Sequence, residues 1–187
     1  KKYLNTVDEM FGKSKLSMKP KRHCSEYWKW FMSQSDCDLK NARYDAELLF
    51  KKFGITFSVY GDDADGFATN KFDRVIPFDL IPRIISADEW KILEKGLIQR
   101  VKALNHFLHD VYHNGRIFAA NVVPSDLIYG NSQYRYQMQN VSIPNKIYAQ
   151  ICGVDLVRTN NNDFYVLEDN LRVPSGVSYM IENRRSE

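Results

Sequence analysis

The sequence predicts a mixed α/β fold (α+β) in which helices back a mixed or antiparallel sheet. Three observations predict it: stretches with the spacing of amphipathic helices, short β-rich runs between them, and two β-rich runs joined by a polar turn near the carboxyl end. With 44% hydrophobic and 13% aromatic residues among 187, the chain has enough apolar side chains for a sizeable core.

The amino-terminal region is predicted to be irregular as far as residue 24 and helical after it. Helices are expected over 25–33 and 38–53. Gly54 is expected to end the second helix, since glycine readily adopts the left-handed conformation that follows a helix. Strands are expected at 55–60 and 74–78, where β-rich residues are bounded by turn residues.

The longest predicted element is a helix that begins at a capping box formed by Ser86 and Glu89 and ends near Asn114 and Gly115. Gly96 lies inside it at a cost of about 1 kcal/mol relative to alanine, so we expect it to mark a close contact. Apolar residues recur at every third or fourth position, which is typical of a helix that covers a sheet: Trp90, Leu93, Leu97, Val101, Leu104, Leu108 and Val111.

A less regular region follows this helix. Residues Ser125–Tyr129 are expected to form a short helical turn, and Gly130–Ile143 an irregular polar loop. Because loops often carry function, Tyr134, Arg135 and Tyr136 are candidates for contact with a substrate. The alternative is that they pack.

The most informative segment is a predicted β-hairpin of two β-rich runs joined by the polar turn Asn160–Asp163. Side chains alternate along a strand, so Glu168 and Asn170 point one way and Asp169 points the other. A four-residue turn places Asp155 directly across from Glu168, about 5 Å apart between β-carbons. A three-residue turn would place Leu167 there instead.

Three oxygen-bearing side chains, Asp155, Glu168 and Asn170, therefore meet on one face of the predicted hairpin. Oxygen donors of this kind suit Mg²⁺, which takes one or two carboxylates from a protein and leaves its other positions to water and phosphates. The alternative is that they are solvated polar residues on the open face of the hairpin. Arg158 faces away from Asp155 in a regular strand, so it is not expected to contact the metal.

These residues resemble the circularly permuted ATP-grasp proteins related to glutathionylspermidine synthase and eukaryotic glutathione synthetase. The shared pattern is Asp155, then Glu168-x-Asn170 one hairpin later, followed by Arg172 and Pro174–Gly176. The bacterial uncharacterised branch of that group carries patterns similar to Val59–Asp63, Ile76–Asp79, Pro82–Ile85, Phe107–Asp110, Gly130–Asn131 and Tyr165–Tyr179.

The resemblance implies part of a circularly permuted ATP-grasp fold and a ligase that activates a carboxylate with ATP and Mg²⁺ as an acyl phosphate. The acyl phosphate is then coupled to an amine. The implied partners are small-molecule or peptide carboxylates and amines. By the same resemblance, Asp155, Glu168 and Asn170 occupy the magnesium positions.

The resemblance also implies roles for the residues after the hairpin. Arg172 and Ser175 fall where relatives contact substrate or phosphate, which makes them the implied catalytic residues. Gly176 and Ser178 lie in a turn whose backbone amides could bind the phosphates of the nucleotide. The alternatives are that Arg172 is a surface residue at the end of the hairpin and that Pro174–Gly176 is an ordinary turn.

Two domains are expected, an amino-terminal helical segment over 1–52 and the amino-terminal part of a permuted ATP-grasp domain over 53–187. In the permuted family the lobe with nucleotide-binding lysines follows much later. The chain contains neither Gly-x-x-x-x-Gly-Lys nor Gly-x-Gly-x-x-Gly. We therefore expect a portion of a longer protein, truncated at its carboxyl end and inactive alone.

Composition favours a cytoplasmic protein that binds neither nucleic acid nor membrane. The net charge is +3, which is small, and no apolar run approaches the roughly 20 residues that span a bilayer. The three cysteines are odd in number and lack a Cys-x-x-Cys spacing, which favours free thiols. The aromatic residues that follow the basic amino terminus are expected to pack rather than to stack on bases: Tyr27, Trp28, Trp30 and Phe31.

Two further hypotheses stay open. The chain is either a ligase fragment or a noncatalytic scaffold module that retains the hairpin. Separately, His106, His109 and His113 share one side of the long helix at spacings of three and four residues, where imidazoles can bind zinc. A histidine metal site is the less favoured interpretation, because no Glu lies between them as in His-Glu-x-x-His.

Overall fold

The structure is a computed structural model, and it describes residues 8–11, 19–58, 73–75, 78–159, 163–174 and 176–186. The chain divides into two compact units, one formed by Lys1–Ser86 with Ser175–Glu187 and the other by Ala87–Pro174. Helices combine with antiparallel strand pairs, so the predicted α+β class is confirmed. None of the described helices is long and apolar enough to cross a bilayer. The predicted division into 1–52 and 53–187 stays a prediction.

The first unit contains three α-helices, a 3-10 turn at Arg22–Cys24 and one strand pair among its described residues. Ser35 caps helix α2, Asp36–Lys52, because its hydroxyl accepts a hydrogen bond from the amide of Asp38 at 3.2 Å. Gly54 follows α2 with φ +68°, which confirms that it ends this helix. The bounds are α1 Ser25–Ser33, α2 Asp36–Lys52, β1 Thr56–Ser58, antiparallel β2 Asp73–Val75, and α6 Gly176–Ser186.

Aromatic residues form the centre of this first unit. Phe50 is 1% exposed, and its ring meets that of Phe78 edge to face at 5.4 Å. Trp28 stacks on Phe31 at 5.8 Å, and the Tyr27 hydroxyl donates to a backbone carbonyl at 2.6 Å. The prediction that the α1 aromatics pack is confirmed for Tyr27, Trp28 and Phe31, whereas Trp30 is 45% exposed.

The second unit is built on α3 and a β-hairpin. α3 is 26 residues long, slightly shorter than the predicted helix, and Gly115 follows it at φ +58°. Asp110 joins this helix to the next one, because its carboxylate accepts from the amide of Ile117 at 2.9 Å. The bounds are α3 Ala87–Tyr112, α4 Arg116–Ala119, α5 Ser125–Tyr129, β3 Gly153–Arg158 and β4 Phe164–Asn170.

A buried amide joins α3 to the segment that leads into β3. The side-chain oxygen of Asn105 accepts from the backbone amides of Tyr148 and Ala149 at 2.7 and 2.9 Å. Its amide nitrogen donates to the carbonyls of Val101 and Ala149 at 3.1 and 3.4 Å. Asn105 therefore provides hydrogen bonds to backbone groups of the irregular segment before β3, which are not paired within a sheet.

The loop tyrosines differ from one another. Tyr134 was a candidate for substrate contact, but it is 8% exposed and stacks on Tyr112 at 5.0 Å with Tyr129 edge to face at 5.1 Å. Burial, with smaller contributions from neighbouring tyrosines, raises its pKa. Tyr136 is 63% exposed and Arg135 is also exposed. Packing thus accounts for Tyr134, and the hydroxyl of Tyr136 donates to the backbone carbonyl of Tyr129 at 2.9 Å. Both Tyr136 and Arg135 remain at the surface.

Candidate functional site

Asp155 lies opposite Glu168 in the hairpin, as predicted, but the length of the connection and the strand register differ from the prediction. Near the turn Arg158 pairs with Phe164 and Leu156 with Val166, a register that a five-residue connection produces. A β-bulge then shifts the ladder by one residue, so Leu167 has no partner and Asp155 returns to Glu168. The predicted four-residue turn is wrong, and the bulge compensates for the extra residue.

The inner face of the hairpin is tied to α3 by two ion pairs. Arg158 is directed inward and is 3% exposed through its side chain. It donates to Glu89 at 2.7 Å, and its guanidinium lies 4.2 Å from the centre of the Phe164 ring. Arg100 binds the carboxylate of Asp169 through two nitrogens of its guanidinium, Nε at 2.8 Å and Nη2 at 2.5 Å. These bonds lower the pKa of Asp169 and raise that of Arg100. The predictions that Asp169 faces away from Glu168 and that Arg158 faces away from Asp155 are confirmed.

The outer face carries the candidate metal ligands. Asp155 and Glu168 are both exposed, and neither side chain makes an ion pair or hydrogen bond within the described part of the chain. Like charges placed directly opposite in an antiparallel pair repel each other, and a cation would remove that repulsion. Asn170 is two positions along from Glu168 and half-buried. Two carboxylates and an amide oxygen fit the donor set that Mg²⁺ uses.

Gly153 makes room at the open end of this outer face. It pairs with Asn170, and a Cβ placed on it would lie 2.9 Å from the Cβ of Pro174. Pro174 therefore folds back over Gly153, on the same face as Asp155, because residues 153 and 155 share a face of β3. The segment after β4 is thus held against the outer face of the hairpin, which carries Asp155.

Arg172 lies within this returning segment. It is exposed, and its Nη1 donates to the side-chain oxygen of Gln133 at 2.7 Å. Gln133 comes from the polar loop before β3, and no sequence pattern marked it, because the contact spans 39 residues. The arginine is therefore oriented by a neutral partner, which leaves its charge available to an anion.

The remaining candidates lie elsewhere. Ser175 lies outside the described residues. Gly176 and Ser178 belong to the other compact unit, where they form the first turn of α6 instead of the predicted turn. A Cβ on Gly176 would meet nothing within 4 Å, so that backbone is open to approach. The free amides of a helix start can bind an anion.

An open groove of about 830 Å³ lies between α3 and the inner face of the hairpin. Its lining includes Arg100 and Glu89 and is otherwise mostly apolar. Gly96 lines it as well, and a Cβ there would meet nothing within 4 Å, so the predicted close contact at Gly96 is wrong. The groove lies on the opposite face of the hairpin from Asp155. The apolar lining is Ile92, Leu93, Leu97, Ala103, Leu104, Phe107, Leu156, Phe164 and Val166.

The predicted histidine cluster is reduced to a pair. The rings of His109 and His113 are 4.1 Å apart between centroids. Among the residues that the structure describes, no group of three or more His, Cys, Asp or Glu is arranged to hold a metal ion. His106 therefore does not complete a three-histidine site.

Comparison with known proteins gives one matching family and several relatives. A family described as "A circularly permuted ATPgrasp" matches residues 82–187. An uncharacterised protein of Synechocystis sp. is 39% identical over 97% of this chain and 36% of its own length. One from Mycobacterium tuberculosis is 39% identical over 98% of this chain and 31% of its own.

A third relative carries a functional name. It is the Frankia casuarinae protein printed as "Putative glutamate--cysteine ligase 2-2", which is 44% identical over 71% of this chain and 14% of its own length. The chain thus spans about a third of the length of the two uncharacterised relatives and less of this one.

Proposed function

The chain belongs to the circularly permuted ATP-grasp family, and from that premise we propose that it carries the metal-binding hairpin of an ATP- and Mg²⁺-dependent carboxylate–amine ligase. The family supports the use of ATP and a divalent metal in general. The name of the Frankia relative, a glutamate–cysteine ligase, supports a reaction that joins a carboxylate to an amine. One observation carries the proposal. Asp155 and Glu168 lie opposite each other on the open face of the hairpin, and neither side chain makes an ion pair or hydrogen bond within the described part of the chain.

The proposed reaction has two displacements. A carboxylate oxygen of the acid attacks the γ-phosphorus of ATP, forming an acyl phosphate and releasing ADP. The amine nitrogen then attacks the acyl carbon, inorganic phosphate leaves with the electrons of the broken C–O bond, and the nitrogen loses one proton to water, which gives the amide. Phosphoryl transfer of this kind depends more on positioning and charge neutralisation than on a protein nucleophile.

The metal would be held by Asp155, Glu168 and Asn170. Bound Mg²⁺ supplies charge neutralisation on the phosphate oxygens. The two carboxylates and the amide are fixed in relation to each other by the strand ladder, so the site loses little conformational freedom when it binds. Asp169, which sits between Glu168 and Asn170, anchors that ladder to α3 through Arg100.

The anionic substrates need a cationic partner as well. Arg172 is assigned to the transferred phosphoryl group or the acid substrate, because its planar guanidinium can bind two oxygens at once. The resemblance assigns Ser175 to the same task, and Gly176 and Ser178 to the nucleotide phosphates. Exposure of Arg172 and Gly176 is compatible with these roles.

The test is a calorimetric titration of ATP, with and without Mg²⁺, into the longest natural form of the protein. Nucleotide binding that requires Mg²⁺ and is lost in Asp155→Asn and Glu168→Gln is expected. Asp163→Asn is the matched control, since it removes one carboxylate from the same hairpin outside the donor set. Absence of ATP binding, or binding that survives both changes, would overturn the proposal and favour the scaffold hypothesis.

A further inference from the structure

Two histidines lie side by side at the carboxyl end of α3, within the second unit. His109 and His113 are one helical turn apart, with ring centroids 4.1 Å apart and planes inclined by 37°. Both side chains are half-buried. Residues four apart on a helix project from the same side, so the two imidazoles can reach one ion.

The hydrogen bond of His113 fixes its tautomer. Its Nδ1 lies 2.9 Å from the backbone carbonyl oxygen of His109. A carbonyl only accepts, so Nδ1 carries the proton and donates it. The Nε2 atom of His113 therefore keeps a free lone pair, which is the arrangement found in metal-binding histidines whose other nitrogen donates to a carbonyl.

The hydroxyl of Tyr148 lies near both imidazoles, 3.2 Å from Nδ1 of His109 and 3.4 Å from Nδ1 of His113. A hydroxyl can accept as well as donate, so this contact is compatible with a proton on Nδ1 of His109. Tyr148 is fixed in turn, because its backbone amide donates to Asn105 at 2.7 Å and its ring stacks on Tyr112 at 5.9 Å. Each imidazole thus has an oriented partner at Nδ1, and each can present Nε2.

We propose that His109 and His113 bind one divalent transition-metal ion through their Nε2 atoms, with Tyr148 as the outer partner of His109. Imidazole nitrogens select Zn²⁺, Ni²⁺ or Cu²⁺ over Mg²⁺, which prefers oxygen. Water completes the coordination, so this is an exchangeable site with open positions. It is independent of the carboxylate pair on the hairpin and does not rest on the ligase proposal.

The test is a calorimetric titration of Ni²⁺, and separately of Zn²⁺, into the 187-residue chain. One ion per chain is expected, with affinity reduced by about tenfold or more in His109→Gln and in His113→Gln, and less strongly in Tyr148→Phe. His106→Gln is the matched histidine control, and Cys37→Ser removes the exposed thiol. Neither control should change the affinity, and excess Mg²⁺ should not compete.

A direct readout avoids dependence on the variants, should one of them fail to fold. In the unmodified chain, the ¹⁵N resonances of Nε2 in both histidines should move on addition of Zn²⁺, while those of His106 stay in place. Absence of binding, binding that survives both His109→Gln and His113→Gln, or binding lost in Cys37→Ser would overturn the proposal. Unchanged Nε2 resonances at saturating Zn²⁺ would overturn it as well.

Discussion

Asp155 lies directly opposite Glu168 because a bulge at Leu167 cancels the effect of a five-residue connection between β3 and β4. On the other face of the hairpin, Arg100 of α3 binds Asp169 of β4. Two constraints therefore act on β4: the acid at 169 must face α3, and the acid at 168 must face outward. The bulge satisfies both.

Two single-residue deletions distinguish the role of the bulge from the role of the carboxylate. Deleting Leu167 or deleting Glu168 leaves a regular ladder in either case, with Asp169 still directed toward Arg100. We expect the two variants to have stabilities within about 1 kcal/mol of each other, because both residues are exposed. Only the variant that lacks Leu167 keeps a carboxylate opposite Asp155.

The readout for these deletions is broadening of the backbone amide signals around Asp155 by Mn²⁺, which uses the same oxygen ligands as Mg²⁺. Broadening should persist without Leu167 and disappear without Glu168. Chemical denaturation of both variants provides the control for folding. Equal broadening in the two variants would contradict the assignment of Glu168 to the metal.

Asn105 should be the most sensitive polar residue of the second unit. Asn105→Ala leaves the amides of Tyr148 and Ala149 without their acceptor, and each lost acceptor for a buried donor costs about 1–3 kcal/mol. Urea denaturation should show a loss of about 2–4 kcal/mol, given incomplete additivity. Asn114→Ala, at an exposed position just beyond α3, is the matched control and should change little. Similar effects of the two changes would contradict the role assigned to Asn105.

The faces of the hairpin could be predicted from the sequence, whereas its register could not be derived correctly. Alternation of side chains placed Asp155 and Glu168 outward and Arg158 inward, and the structure agrees. The bulge escaped prediction because Leu167 is an ordinary strand residue, without the glycine that often marks such a defect. The extra turn residue and the bulge cancel at the position of interest, so the predicted pair was correct for an incorrect reason.

Sequence patterns could not predict the contacts between segments that are distant along the chain. Helical spacing predicted which side of α3 is apolar, but it contains no information on which residue meets Asp169 or Arg172. Arg100 and Gln133 emerged only from the folded chain. Gly96 shows the opposite failure: glycine inside a helix suggested a close neighbour, and the structure has an open groove there.

Asp169 should make stability depend on pH in a defined direction. Its pKa in the folded state is lowered by the bond to Arg100, while in the unfolded chain it is about 3.9. The stabilisation is therefore complete above the unfolded pKa and is lost as the pH falls through the lower folded pKa. Asp169→Asn should lower the Tm by roughly 2–4 °C near neutral pH, since Arg100 is partly exposed and solvent weakens the pair.

Thermal unfolding of both proteins across the acid range measures this effect. The Tm difference should be constant from neutral pH down to about pH 5 and should shrink below about pH 4. Asp163→Asn is the control for general carboxylate titration. A difference that persists unchanged into strong acid would show that the asparagine acts through packing and not through lost charge.

Two Gly→Ala substitutions in the second unit should have opposite signs. At Gly96 the helix is regular and a Cβ meets nothing within 4 Å, so Gly96→Ala should stabilise by about 0.5–1 kcal/mol through lower chain entropy in the unfolded state. At Gly153 the new Cβ would lie 2.9 Å from the Cβ of Pro174, and Gly153→Ala should destabilise by about 1–3 kcal/mol. Because the chemical change is identical, the difference reports the local space alone.

The Gly153 substitution also tests how the segment after β4 is held. Displacing Pro174 should release that segment, and Arg172 would then lose its bond to Gln133. Changed side-chain amide resonances of Gln133, which report the lost contact with Arg172, are expected in Gly153→Ala and not in Gly96→Ala. If Gly153→Ala proves as stable as Gly96→Ala and leaves these resonances unchanged, Pro174 does not rest on Gly153, and the positioning of Arg172 needs another cause.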